Sequence, residues 1–137
     1  MTVLSRRAYY GVQKGTVTLN GKTLTESMKK IIGFVPQDEI MMTTLQVWET
    51  LAFSGIYRSM TNFFYPLFKR VKETSEMLNI SKKLFSTIGD VNRKVLSGGE
   101  KKRLNVGIEM INDSPILLLD EPTSGLVSAI ILSKLTF

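Results

Sequence analysis

Two short stretches of this chain carry residue types suited to handling phosphate and a divalent cation. The first is Leu96-Ser97-Gly98-Gly99-Glu100. The N-terminus of a helix has unpaired N–H groups and the positive end of the helix dipole. Two glycines remove side chains there, so a phosphate can approach the backbone closely. The Ser97 hydroxyl adds a further donor. The second stretch is Ile116-Leu117-Leu118-Leu119-Asp120-Glu121-Pro122. Open α/β sheets bind their ligands at the carboxyl ends of strands. Asp120 in that place can hold Mg²⁺, directly or through water. Glu121 points elsewhere and can orient or deprotonate an attacking water. Gln37 follows an apolar segment and offers an amide oxygen to a hard cation and an N–H to water. Alone, each of these is a helix cap, a strand end or a loop residue. Their conjunction, with Lys101-Lys102-Arg103 following the glycine pair, points to chemistry. The sequence shows no glycine-rich phosphate cradle with a lysine, and it has no histidine.

The elements that must position these residues can be read from pattern. Residues 1–10 read as the end of a helix. Thr16-Val17-Thr18-Leu19 alternates as a short strand and meets the turn pair Asn20-Gly21. Lys30 to Val35 reads as a second strand, stopped by Pro36. Thr43 is expected to open a helix, with Gln46 as its capping-box partner. Val47, Trp48, Leu51, Phe53 and Ile56 make that helix mostly buried, with Gly55 weakening its last turn. Pro66 suits the first turn of a next helix, in which Leu67, Val71 and Leu78 share one face. Ser81 is expected to cap another short helix. Ser97 and Glu100 form an S-x-x-E capping box, and Leu104, Ile108 and Ile111 continue one face of that helix. Asn112-Asp113-Ser114-Pro115 is a turn. The unbroken run Ile116–Leu119 reads as a strand buried on both faces. A last helix is expected from Leu126 to Leu135. Strand, helical block, strand is an α/β plan with a helical insertion between parallel strands.

Composition sets bounds on this plan. The chain has 137 residues, 43% of them hydrophobic and 22% charged, enough for one domain with a sizeable core. It has no cysteine, which excludes disulfides and thiolate metal sites. The net charge of +6 comes from small clusters such as Arg6-Arg7, Lys29-Lys30, Lys69-Arg70 and Lys82-Lys83. Acids such as Glu73 and Glu76 interrupt them, so they read as solvated faces. No apolar run approaches the roughly 18–20 residues that cross a bilayer. The first residues lack the pattern of a signal peptide. Met41-Met42 and Trp48 read as packing residues.

The sequence resembles the nucleotide-binding domain of ABC transporters, most closely the G subfamily of half-transporters and pleiotropic-drug-resistance pumps. The carrying segments are Gly33-Phe34-Val35-Pro36-Gln37-Asp38, Ile40-Met41-Met42, Glu49-Thr50-Leu51-Ala52-Phe53-Ser54, Ile88-Gly89-Asp90, Leu96–Arg103 and Leu119–Leu126. The resemblance implies a partial P-loop NTPase (ABC ATPase) core of parallel strands with a helical signature-motif subdomain inserted. Residues 1–42 would be the core with the Q-loop and 43–96 the helical subdomain. Residues 97–137 would hold the signature helix, the Walker B strand, the D-loop and a divergent tail.

Residue by residue, Gln37 matches the Q-loop glutamine, which touches Mg²⁺ in the family. Ser97, Gly98, Gly99 and Glu100 match the signature motif, which binds the γ-phosphate of ATP held by the opposite subunit. Asp120 matches the Walker B aspartate, and Glu121 the catalytic glutamate. Ser124, Gly125 and Leu126 match the D-loop, whose aspartate is replaced here by Val127. The Walker A loop and the switch histidine have no counterpart. The chain therefore resembles an internal piece of a longer ATPase, with no autonomous turnover expected and an aggregation-prone sheet edge at Ile116–Leu119.

ATP and Mg²⁺ are the implied cofactors. The implied partners are a transmembrane domain and a second nucleotide-binding domain at the cytoplasmic face of a membrane, without nucleic acid. Two other readings stay open. One is a non-catalytic module that completes a composite ATP site on a partner half-transporter. The other is a soluble ABC ATPase, for which the spacing from Gln37 to Ser97 leaves no room for a long coiled coil.

Overall fold

The computed structural model describes residues 3–5, 7, 11–12, 14–25, 31–38, 40–59, 64–89 and 95–121. Strands β1 (Thr18–Leu19) and β2 (Lys22–Thr23) pair antiparallel, with Thr18 opposite Thr23. Between them Asn20 and Gly21 take φ of 50° and 77°, as a two-residue turn of type I′ requires.

The second strand pair organises the rest. Strand β3 (Ile32–Val35) and strand β4 (Ile116–Leu119) run parallel, with Ile32 opposite Ile116 and Val35 opposite Leu119. Parallel neighbours need a long crossover, and the helices supply it. All four residues of β3 are buried, whereas those of β4 are only half-buried. This corrects the expectation that β4 is covered on both faces. Among the described residues β4 pairs with β3 alone.

Helices α1 (Val47–Ser59), α2 (Phe64–Met77) and α3 (Gly98–Met110) pack on one another. Helix α1 starts later than the Thr43 capping box would set it. The Glu49 carboxylate accepts from the Gln46 backbone N–H at 2.8 Å, so Gln46 precedes the first turn and Glu49 closes it. Upstream, the chain pairs instead with the segment before residue 90. Gln46 bridges to Thr87, and the Ile88 and Gly89 N–H groups donate to the Leu45 and Thr43 carbonyls. Ser81 is the first residue of a short 3-10 turn (Ser81–Lys83) rather than its cap.

The core gathers Val47 and Leu51 of α1, Val71 of α2, Leu78, Ile80, Ile88, Leu96, and Leu104, Val106 and Met110 of α3, all buried. Burial of α1 is one-sided, however. Phe53 is 59% exposed and Ile56 50%, against the expectation of a mostly buried helix. With Trp48, Leu67, Phe68 and Val71 they line an apolar cavity of about 160 Å³ between α1 and α2. Met41 packs against the core, while Met42 is exposed.

Two glycines let the helices approach closely. A Cβ at Gly107 would sit 2.6 Å from Leu78 Cδ1 and 3.1 Å from Leu51 Cδ2. One at Gly55 would sit 2.7 Å from Leu67 Cδ1, so Gly55 serves the contact of α1 with α2. The expected helices over residues 1–10 and Leu126–Leu135 lie wholly or mostly outside the described residues.

Candidate functional site

The β3–β4 register brings three of the candidate residues to one end of the strand pair. Beyond Leu119, the Asp120 N–H donates to the Val35 carbonyl at 3.0 Å, one further rung of the ladder. The chain then turns sharply, with Glu121 at φ 50°. This left-handed conformation is uncommon for a residue with a Cβ. On the neighbouring strand Pro36 ends pairing, and Gln37 follows. The Gln37 Nε2 donates to Glu121 Oε2 at 2.8 Å across 84 residues of sequence. Gln37, Asp120 and Glu121 thus share one corner, two of them exposed and Asp120 half-buried.

The second corner is the N-terminus of α3. Ser97 is its N-cap, with both halves of a capping box present. The Glu100 N–H donates to Ser97 Oγ at 3.3 Å, and Glu100 Oε2 accepts from the Ser97 N–H at 2.7 Å and its hydroxyl at 2.9 Å. The backbone hydrogen bond from Ser97, more than any other influence, holds the Glu100 carboxyl below its ordinary value. The Ser97 hydroxyl bond and the charges of Lys83 and Arg103 act in the same direction, and partial burial opposes them. A Cβ on Gly98 would meet nothing within 4 Å, so the backbone there faces open space, as close approach by a ligand requires.

Helix α3 connects the two corners. Its Asn105 amide donates to the Pro36 carbonyl at 3.4 Å, one residue before Gln37. One turn further on, Glu109 lies against Gly33, where an added Cβ would be 3.2 Å from Glu109 Oε2. The helix therefore runs antiparallel to β3 and leads away from Ser97 toward the strand pair. At its start Lys101 Nζ donates to the Gly89 carbonyl at 2.8 Å. Sequence reasoning missed Asn105. The available signal was a polar residue between Leu104 and Val106 on a face that is otherwise core. Ser124 and Gly125, the remaining candidates, lie outside the described residues.

The donor set at the strand tip fits Mg²⁺. Asp120 offers carboxylate oxygen and Gln37 an amide oxygen, both hard ligands. Mg²⁺ is commonly held by one or two protein oxygens, with water and substrate phosphate completing its shell. Among the described residues no group of three or more acidic, histidine or cysteine side chains forms a closed metal cage.

Residues 2–124 match the ABC transporter family, and the chain belongs to that family. Its relatives place it in the G subfamily, as part of the ATP-binding domain. It is 41% identical over 131 residues to ABC transporter G family member 28 of Arabidopsis thaliana, covering 94% of this chain and 12% of the relative. It is 43% identical over 120 residues to ABC transporter G family member 25 of Oryza sativa subsp. japonica, covering 84% and 12%. It is 38% identical over 130 residues to ABC transporter G family member STR of Petunia hybrida, covering 93% and 16%. The chain therefore spans less than a fifth of the length of these relatives. Family membership implies the P-loop NTPase fold and ATP binding, typically with Mg²⁺. No helix among the described residues is long and apolar enough to cross a membrane.

Proposed function

We propose that these residues form part of the ATP-hydrolysing module of an ABC-type exporter and couple hydrolysis to transport through a transmembrane domain. The observation that carries this reading is the 2.8 Å bond from Gln37 to Glu121 at the carboxyl end of two parallel strands. It joins residues far apart in sequence where an α/β sheet binds ligands. Asp120 and the Gln37 oxygen would hold Mg²⁺, and the ion would supply charge screening of the phosphates. Glu121 orients the attacking water and takes its proton. Ser97, Gly98, Gly99 and Glu100 present backbone N–H groups and a hydroxyl to the γ-phosphate of ATP on a second nucleotide-binding domain. Ser124 and Gly125 are assigned to the D-loop of that site by the resemblance of their sequence alone.

The division into a core over 1–42, a helical subdomain over 43–96 and a signature and Walker B portion over 97–137 follows from this reading. So does a place at the cytoplasmic face of a membrane. The apolar face of α1 and α2, with Phe53, Ile56, Tyr57 and Phe68 exposed, is surface that a larger assembly can cover.

The test is ATP hydrolysis by the assembled transporter. Glu121→Gln is expected to lower turnover by about a hundredfold or more while nucleotide binding is retained. Unchanged turnover would overturn the assignment. The 137 residues alone are expected to show none, because no lysine-bearing phosphate loop is among them. Hydrolysis by the purified chain that Glu121→Gln abolishes would refute that.

A further inference from the structure

We propose that Glu121 has a second role as a positioning residue: its carboxylate fixes the Gln37 amide so that the oxygen, not the nitrogen, is left to meet a divalent cation. This rests on the assignment of Gln37 and Asp120 to the cation and adds to it what orients one of the two ligands.

A primary amide has two ends of nearly equal size and opposite chemistry. Only its oxygen can ligate a hard cation. Gln37 is exposed and follows a proline at the end of a strand, and three side-chain torsions separate its amide from the backbone. Unrestrained, the group samples both flips and several rotamers, and most of that population cannot ligate. Apparent affinity falls with the fraction in the competent state. The 2.8 Å contact removes this freedom. A carboxylate accepts and does not donate, so the nitrogen must face Glu121 and the oxygen cannot.

The orienting group is itself held. The Asp120 N–H is bonded to the Val35 carbonyl, which extends the register of β4 on β3 up to the turn. Glu121 then adopts φ 50°, a conformation that costs free energy and persists only where the surroundings fix it. On the opposite side, the carbonyl preceding Gln37 accepts from Asn105 of α3. Both ends of the 2.8 Å bond are therefore tied to regular structure, one to the sheet and one to the helix. Preorganisation of this kind raises affinity by removing ordering costs at the moment of binding.

The test is a double-mutant cycle on the assembled transporter with a non-hydrolysable ATP analogue. Mn²⁺ serves as probe, and its binding is read by electron paramagnetic resonance. Glu121→Gln removes a charge near the cation and replaces an obligate acceptor by an amide that can present either its oxygen or its nitrogen to Gln37, so the single variant does not separate the two effects. In a Gln37→Ala background only the charge effect remains. The loss of Mn²⁺ affinity caused by Glu121→Gln is expected to be about fivefold larger with Gln37 present than in that background. Glu121→Asp keeps the charge and shortens the reach, and it is expected to show the same coupling.

Additive effects, or tighter Mn²⁺ binding when Glu121 is replaced, would overturn the proposal. The second result would make the contact a resting latch instead. If Asp120→Asn and Gln37→Ala both leave Mn²⁺ affinity unchanged, the assignment of the cation ligands fails, which is distinguishable from failure of the orienting role alone. Gln37 and Glu121 are exposed, so their variants are expected to melt with the wild type, and matched melts serve as the control.

Discussion

The two polar corners of this molecule are built in opposite ways. At the start of α3, Ser97 and Glu100 satisfy one another across three residues, and the whole device is local. At the strand tip, Gln37 and Glu121 meet across 84 residues and depend on a strand register set by β3 and β4. The first corner needs only the local start of α3, with Ser97 and Glu100 three residues apart. The second exists only if the crossover through α1, α2 and α3 returns the chain in register. Long-range pairing carries a loop-closure cost before it is rewarded. The corner assigned to the cation and the attacking water is thus the one that senses whether the domain is assembled.

The comparison breaks most completely through the shared core. Leu104 of α3 is fully buried in the cluster formed by the three helices and the segments between them. Leu104→Ala is expected to cost about 3 kcal/mol and to loosen both corners together, as a lower midpoint in urea would show. Selective damage at the strand tip should come from Gly33→Val. A Cβ there would lie 2.9 Å from Leu117 Cδ1 and 3.2 Å from Glu109 Oε2. The larger side chain is expected to cost about 1–3 kcal/mol and to shift the side-chain amide resonance of Gln37. The backbone resonances of Gly98 and Gly99 are expected to stay in place. If both sets move equally, the two corners are not independent.

Legibility from sequence follows the same division. The capping box, the Asn20-Gly21 turn, the strand before Pro36 and the strand before Asp120 are set by near neighbours, and each forms as the pattern implies. The start of α1 departs from its pattern because Gln46 has a non-local partner. Its segment pairs with Thr87 and Gly89, and periodicity carries no trace of a contact that distant. Phe53 and Ile56 read as core because they are large and apolar, but burial depends on which face of α1 meets α3. Gln37, Asp120 and Glu121 stand out individually, from their chemistry and from resemblance. Nothing local indicates that the Gln37 amide donates to Glu121, or that Asn105 holds the carbonyl before it. Both facts belong to register and helix packing.

A smaller effect sharpens the local side of the comparison. Ser97→Ala removes the acceptor for the Glu100 N–H and one donor to its carboxylate. Loss of such a cap is expected to cost about 1 kcal/mol. The strand-tip contact should be untouched, so Gln37 resonances are expected to match wild type while amide exchange at Gly99 and Glu100 speeds up.

The smallest expected effect is one of pH, and it belongs to the α3 corner. The Ser97 backbone N–H, foremost, holds the Glu100 carboxyl below its ordinary value of 4.5. A group depressed on folding stabilises the folded state while it is ionised in both states, which here means above that ordinary value. The contribution disappears as pH falls from there through the lower folded value, because the unfolded chain takes up the proton first. Glu100 is largely solvated, so the contribution is screened and expected to stay below about 0.5 kcal/mol. Glu100→Gln keeps a side chain able to complete the capping box but does not titrate. Melting midpoints measured from neutral pH down to about 3 are expected to fall more steeply below 4.5 for the wild type than for Glu100→Gln. The difference between the two curves isolates the α3 corner, since every other carboxylate is common to both proteins. Parallel curves would mean that Ser97 holds the Glu100 carboxylate no better in the folded chain than water does in the unfolded one.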